Sequence, residues 1–159
     1  MNMQKVNLYS DGSSKGNPGQ GGYGTIIHHL NDAGDVIKVE ELSEGFKSTT
    51  NNRMELMGII VGLESLTDPC DVNVFTDSSY VTDMFNKGWI KKWLNNRWKT
   101  AYGNNVKNTD LIIRLILAMK PHAVTYTWVK GHDGHSENER CDYLATTAAD
   151  NYTDSEEEF

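Results

Sequence analysis

Thr49-Thr50-Asn51-Asn52-Arg53-Met54-Glu55-Leu56-Met57-Gly58-Ile59-Ile60-Val61-Gly62-Leu63-Glu64-Ser65-Leu66 is the stretch on which the fold turns. From Met54 onward, Met54, Leu56, Met57, Ile59, Ile60, Val61, Leu63 and Leu66 are apolar and cover nearly every face of a helix. A helix apolar all round is buried rather than amphipathic. Thr49 or Thr50 is the expected N-cap, because a hydroxyl there accepts a hydrogen bond from a free helix N–H. Glu55 falls in the first turn. A carboxylate there complements the helix dipole, but desolvating it is costly unless something positive meets it. Taken alone, Glu55 reads more simply as the dipole's complement.

Working outward, the 159 residues suffice for one domain with a sizeable core. A single domain over residues 1–150 is expected, with residues 151–159 an acidic, disordered tail. The composition, 38% hydrophobic and 23% charged, is that of an ordinary globular protein. No apolar run approaches the roughly 18 residues of a membrane span, so no membrane association is expected. The N-terminus runs directly into a strand-like segment and lacks the apolar core of a secretory signal. Cys70 and Cys141 have no metal-ligand spacing and are expected to be reduced thiols in a cytoplasmic protein.

The net charge of −7 argues mildly against nucleic acid as a partner, but its distribution argues the other way. Met84 to Thr109 contains no acidic residue, while Lys87, Lys91, Lys92, Arg97, Lys99 and Lys107 give +6. Asp150 to Phe159 carries −5, and Asp32 to Glu44 carries −4. A global charge can hide a local basic patch.

Before the central helix, residues 4–11 alternate and read as a strand ending at Asp11. Gly12 to Gly22 reads as a turn-rich loop, and it lacks the Gly-Lys-Ser/Thr of a phosphate-binding P-loop. Residues 23–30 and 36–42 read as a strand pair. After the helix come a strand over Val72 to Asp77, a short helix from Ser78 to Phe85, and a basic segment spaced with Trp89, Trp93 and Trp98. A helix capped by Asn108 or Thr109 runs through Met119, a β-rich run covers Ala123 to Val129, and a last helix opens on a Ser136-to-Glu139 capping box. Three strands followed by alternating helices and strands imply an α/β protein, with a mixed sheet and helices on its faces.

Two strand ends echo each other: Ser10-Asp11-Gly12-Ser13 and Thr76-Asp77-Ser78-Ser79. Either aspartate alone reads as a turn former. If the two strands are parallel neighbours, both carboxylates lie side by side at the edge where α/β sheets collect ligands. Two like charges so close need a cation or a raised pKa. In the last helix, Cys141, Leu144, Ala145 and Ala148 form an apolar stripe, and Asp142 lies beside it. Asp11, Glu55, Asp77 and Asp142 together make a hard-oxygen donor set suited to Mg²⁺ or Mn²⁺ rather than zinc. Two-metal carboxylate sites cleave phosphodiesters. His132, in a glycine-flanked loop just before the Asp142 helix, is a candidate general acid/base. His135 reads as a structural loop residue.

These motifs, in order, resemble a type 1 ribonuclease H of the bacterial kind. The resemblance rests on Ser10–Ser13, Gly16–Gly19 and Gly21–Gly24, then on Thr49–Leu56 and Thr76–Ser78, and finally on Trp128–His132 and Glu137–Asp142. It implies the ribonuclease H-like fold, a five-stranded mixed sheet flanked by helices. It implies endonucleolytic hydrolysis of the RNA strand of RNA–DNA hybrids, leaving 5′-phosphate and 3′-hydroxyl ends. Asp11, Glu55, Asp77 and Asp142 match the family's metal-binding carboxylates, with two Mg²⁺ ions expected in the working complex and Mn²⁺ as a substitute. His132 matches its catalytic loop histidine. Ser14, Asn17, Asn51 and Asn52 match positions that read the minor groove and the RNA 2′-hydroxyls. Thr50, with nearby asparagine and backbone groups, matches the pocket gripping a DNA phosphate. Arg53 reads either as a charge lent to that pocket or as half of a structural ion pair. Trp89 matches a residue packing on a DNA sugar, Trp93 and Trp98 are expected to hold the basic protrusion together, and Lys91 and Lys92 to contact phosphates.

Two departures stand out. Ser79 occupies a position where bacterial members often carry Gln, so one minor-groove contact is expected to be shorter or lost. The protrusion carries less charge after Trp93 than is usual, which with the acidic total predicts weak, salt-sensitive hybrid binding. A junction resolvase or integrase on the same fold is the nearest alternative, and the asparagine-rich contacts and the protrusion argue against it. A non-catalytic hybrid-binding module would have lost a carboxylate, and all four are present. A monomer with no obligate protein partner is expected.

Overall fold

The computed structural model describes residues 3–131 and 136–152. The elements run β1 (Gln4–Ser14), β2 (Gly19–Leu30), β3 (Val36–Thr49), α1 (Asn51–Glu64), β4 (Cys70–Thr76), α2 (Ser79–Asn86), α3 (Trp89–Asn95), α4 (Thr109–Met119), β5 (Ala123–Trp128) and α5 (Ser136–Asp150). The strands form one five-stranded sheet in the order β3-β2-β1-β4-β5. β1, β2 and β3 pair antiparallel, while β1–β4 and β4–β5 are parallel. This is the mixed sheet that three sequential strands followed by helical crossovers predict.

α1 packs on β1 and β2 with α4 along its flank. Leu56, Ile59, Ile60 and Leu63 are buried with Val6, Leu8, Val72 and Val74 of the sheet, and Met54 with Tyr23 and Phe46. Each such side chain contributes about 1.5–3 kcal/mol relative to an exposed one, so α1 is the rigid centre of the domain. α5 lies against β1, β2 and β3 and buries Cys141, Ala145 and Ala149. Both cysteines are buried free thiols. Among the described residues no helix is long and apolar enough to cross a membrane.

The glycine-rich segment corrects the sequence reading. Gly12 to Gly22 is mostly ladder: β1 continues through Ser14 and β2 begins at Gly19, with Asp11 opposite Gly24 and Ser14 opposite Gly21. Glycine here serves packing rather than turning. A Cβ on Gly24 would lie 2.3 Å from the Cys141 carbonyl oxygen, so α5 can lie this close to β2 only where a side chain is missing. β3 likewise runs past residue 42 to Thr49 and delivers the chain directly to α1. Asn108 stands at the N-cap position of α4 with φ of 62° and makes no side-chain capping bond. Ser136 is the first residue of α5 and donates to Glu137 Oε2 at 3.1 Å. His132, His135 and the tail beyond Tyr152 lie outside the described residues.

Candidate active site

Asp11 lies in β1, and Asp77 immediately follows β4, its parallel neighbour. The register pairs Tyr9 with Phe75, so the two aspartates leave the sheet at the same level. Glu55 arrives from α1 because β1 and α1 touch through backbone: a Cβ on Gly12 would lie 2.5 Å from the Glu55 nitrogen. One carboxylate oxygen from each of Asp11, Glu55 and Asp77 lies within 4.8 Å of the others. Asp142 stands outside that group. It follows Cys141, whose carbonyl abuts Gly24, the ladder partner of Asp11, and its charge is felt at Asp11.

Burial, then the charges of Asp77 and Asp142, push the Asp11 carboxyl up to about 8, against the Gly12 N–H, which donates to Asp11 Oδ1 at 3.0 Å. Glu55 is raised too, first by burial and then by Asp11 and Asp77, and it is hydrogen-bonded to Asp11. Crowded like charges sharing a proton are the expected state of such a cluster without a cation. Glu55 Oε2 is buried with no hydrogen-bond partner. A buried oxygen left unpaired is costly, and a divalent cation bound among the three carboxylates would satisfy it. All donors are hard oxygens, as Mg²⁺ and Mn²⁺ prefer.

The end of β5 braces the cluster. Trp128 Nε1 donates to the Asp77 carbonyl at 3.0 Å, and the Val129 N–H donates to the Thr76 carbonyl at 2.9 Å. A Cβ on Gly131 would lie 2.8 Å from Asp77 Oδ2, so the chain leading to His132 runs against the carboxylates.

The predicted substrate residues gather at the entrance of α1. Thr50 is the N-cap, and its Oγ1 accepts from the Arg53 N–H at 3.3 Å. Asn17 Oδ1 accepts from the Asn51 N–H at 3.0 Å, which ties the β1–β2 turn to the helix terminus. Ser14 Oγ donates to the Gly16 and Thr49 carbonyls. Asn51 and Asn52 are exposed.

The family is decided by the match of a ribonuclease H family model to residues 3–150. The chain belongs to the ribonuclease H family. A relative from Lachnoclostridium phytofermentans named ribonuclease H is 55% identical over 147 residues, covering 92% of this chain and 92% of that one. Another of that name from Rippkaea orientalis is 51% identical over 146 residues, covering 92% and 86%. Among solved structures, LC9-RNase H1, described as a type 1 RNase H with the type 2 active-site motif, is 31% identical with a TM-score of 0.84. That match covers 96% of this chain and 75% of the other. The protein is thus an enzyme of the ribonuclease H family with the ribonuclease H-like fold.

Within this ribonuclease H-family domain, the remaining predicted contacts lie on separate elements. Ser79 is exposed in the first turn of α2, two residues beyond Asp77. Lys91 and Lys92 are exposed on α3, which begins at Trp89. Trp93 packs between Trp89 and Trp98, with centroids 6.1 and 6.4 Å away, as expected for residues that hold the protrusion together. Arg53 is 2% exposed and donates to both Asp110 oxygens, at 3.0 and 2.8 Å, so it is the structural ion pair.

Asn108 was not recognisable from sequence as a site residue. It reads as a helix cap, yet its Oδ1 accepts from Arg53 at 3.4 Å and its Nδ2 donates to the Tyr80 hydroxyl at 3.1 Å. With Thr50, Arg53, Val106, Lys107 and Asp110 it lines a cavity of about 460 Å³ beside the α1 terminus. An asparagine just before a helix is ordinary, and only the distant partners Arg53 and Tyr80 reveal it.

Proposed function

We propose that the protein hydrolyses the RNA strand of RNA–DNA hybrids endonucleolytically, leaving 5′-phosphate and 3′-hydroxyl ends. The observation that carries this reading is the three-carboxylate cluster, with its unpaired Glu55 Oε2, set beside an α1 entrance rich in Thr and Asn side chains. Asp11, Glu55 and Asp77, with Asp142 nearby, would hold the divalent cations. Bound there, such ions supply an activated water and offset charge on the leaving 3′-oxygen. Mg²⁺ is the proposed ion, with Mn²⁺ as substitute.

The protein's own groups position the substrate. Thr50 and Asn108, which line the cavity, offer a hydroxyl and an amide beside the N-terminus of α1, chemistry that suits a phosphate of the DNA strand. Ser14, Asn17, Asn51 and Asn52 offer the donors and acceptors needed to tell a 2′-hydroxyl from a hydrogen. Ser79 would add a short minor-groove contact, Trp89 a surface for a DNA sugar, and Lys91 and Lys92 phosphate contacts without sequence reading. His132 is the proposed proton relay or product-release group, supported by its place in the Lys130–His132 motif and by the approach of Gly131 to Asp77. The chain is proposed to act in the cytoplasm as a monomer.

Labelled RNA–DNA hybrid, duplex DNA and duplex RNA, each incubated with Mg²⁺, Mn²⁺ or EDTA, test the reading. Metal-dependent cutting of the hybrid's RNA alone is expected. Cutting of duplex DNA, or of the hybrid in EDTA, would overturn it.

A further inference from the structure

Between α3 and α4 the chain makes a small hairpin. Arg97 and Trp98 both adopt left-handed backbone, φ 54° and 60°, a conformation that is strained for bulky residues. They turn the chain out of α3. The base is then closed by the Val106 N–H donating to the Trp98 carbonyl at 2.9 Å and by a bridge between Lys99 and Asn105. The tip is pinned as well. The Thr100 N–H donates to the Asn104 carbonyl at 2.7 Å, the Gly103 N–H to the Thr100 carbonyl at 3.0 Å, and the Asn104 N–H to Thr100 Oγ1 at 3.2 Å. From outside, Asn96 Nδ2 holds the Lys99 and Thr100 carbonyls at 2.9 and 3.2 Å.

On this braced tip Tyr102 is 93% exposed, more than any other large hydrophobic residue described. A tyrosine is a rigid, amphipathic contact surface with few torsions to freeze, and the hairpin has already ordered the backbone beneath it. Its arms carry Lys99 and Lys107, within the segment from Met84 to Thr109 that has no acid in a chain of net charge −7. The returning arm, Val106 and Lys107, runs directly into the wall of the Thr50–Asn108 cavity.

We propose that Tyr102 is a further substrate contact, packing against the DNA strand of the hybrid beyond the phosphate held at that cavity. The inference rests on the reading of the cavity as a DNA-phosphate seat. Four residues separate Tyr102 from Val106 of the cavity wall, at most about 13 Å at ~3.3 Å per residue, so the ring stands within about four nucleotides of the phosphate seat along one strand. Packing of an aromatic ring on a sugar or base tolerates any sequence, as a nuclease acting on hybrids of any sequence requires.

Fluorescein-labelled hybrids in EDTA give Kd, and cleavage in Mg²⁺ gives KM and kcat. One hybrid is long, and the other has its DNA strand trimmed to end at the cavity. Tyr102→Ala should weaken binding of the long hybrid about fivefold or more, with the loss in KM rather than kcat, and should leave the trimmed hybrid unaffected. Tyr102→Phe and Tyr102→Trp should retain wild-type binding. Unchanged binding of the long hybrid by Tyr102→Ala, or an equal loss on both hybrids, overturns the proposal. If the wild-type protein neither binds nor cleaves the hybrid, the functional reading falls with it. If wild type cleaves and Tyr102→Ala matches it in KM, this proposal falls alone.

Discussion

Gly12 and Glu55 meet backbone to backbone: a single Cβ on Gly12 would lie 2.5 Å from the Glu55 nitrogen and 2.6 Å from the Met54 carbonyl carbon. Neither neighbour is the far end of a flexible side chain, so α1 itself would have to move. Gly12→Ala is therefore expected to displace Glu55 from Asp11. A displacement near 1 Å in a catalytic constellation costs on the order of 100-fold in rate. The check is kcat on a hybrid substrate alongside a melting curve. A variant with normal turnover would show that the close approach is not needed for the site.

The Asp11 carboxyl is raised from 3.8 to about 8, which fixes the sign of a pH effect. Below pH 3.8 folded and unfolded chains both hold the proton; between 3.8 and about 8 only the folded chain keeps it. Folding then binds a proton, so the stability of the metal-free protein should fall as pH rises through that window and level off above it. Asp11→Asn should make the profile shallower, leaving the contribution of Glu55, and should stabilise the metal-free protein at pH 8 by on the order of 1–3 kcal/mol. Mg²⁺ should raise the melting temperature of the wild type at pH 8 and have little effect on the variant. Denaturant melts across pH, with and without Mg²⁺, measure both.

Asp77→Asn keeps the side-chain volume and removes one charge from the cluster. Cleavage should be abolished while hybrid binding in EDTA stays near wild type, because the proposed hybrid contacts lie at the α1 entrance and along the basic protrusion. Full turnover by this variant would remove Asp77 from the catalytic set.

The ion pair of Arg53 and Asp110 is lopsided, since the side chains are 2% and 44% exposed. Asp110→Asn leaves a buried guanidinium with weaker partners and should cost about 1–2 kcal/mol, less than the 3–5 kcal/mol of a fully buried pair because water reaches the site. Since Arg53 also holds Asn108 at the cavity, KM for the hybrid should rise while kcat is largely kept. Urea melts and steady-state kinetics separate the two effects.

Hybrid binding should be weak and steeply salt-dependent, since the acid-free segment from Met84 to Thr109 works against a total charge of −7. The logarithm of Kd should rise linearly with the logarithm of salt concentration. Lys91→Ala and Lys92→Ala should each lower the slope by about one unit. A flat salt response would contradict phosphate contact by these lysines.

Much of this protein was legible from its sequence alone. The all-round apolarity of Met54 to Leu66 determined a buried helix, because a chain cannot leave that much hydrocarbon in water. The paired Ser-Asp and Thr-Asp strand ends determined where the carboxylates would gather, because parallel neighbouring strands bring their ends to one edge. Tertiary structure decided what depends on distant neighbours. Gly19 to Gly22 carries the local signature of a turn, and only the close packing of α5 on β2 makes it strand. Asn108 carries the signature of a cap, and only Arg53 and Tyr80, from other helices, turn it into a cavity residue. Arg53 could have lent charge to a substrate pocket or paired within the fold, and only the fold shows its pairing with Asp110. Periodicity and propensity are properties of a few consecutive residues, whereas close approach and buried pairing belong to segments far apart in the chain that meet only once it has folded.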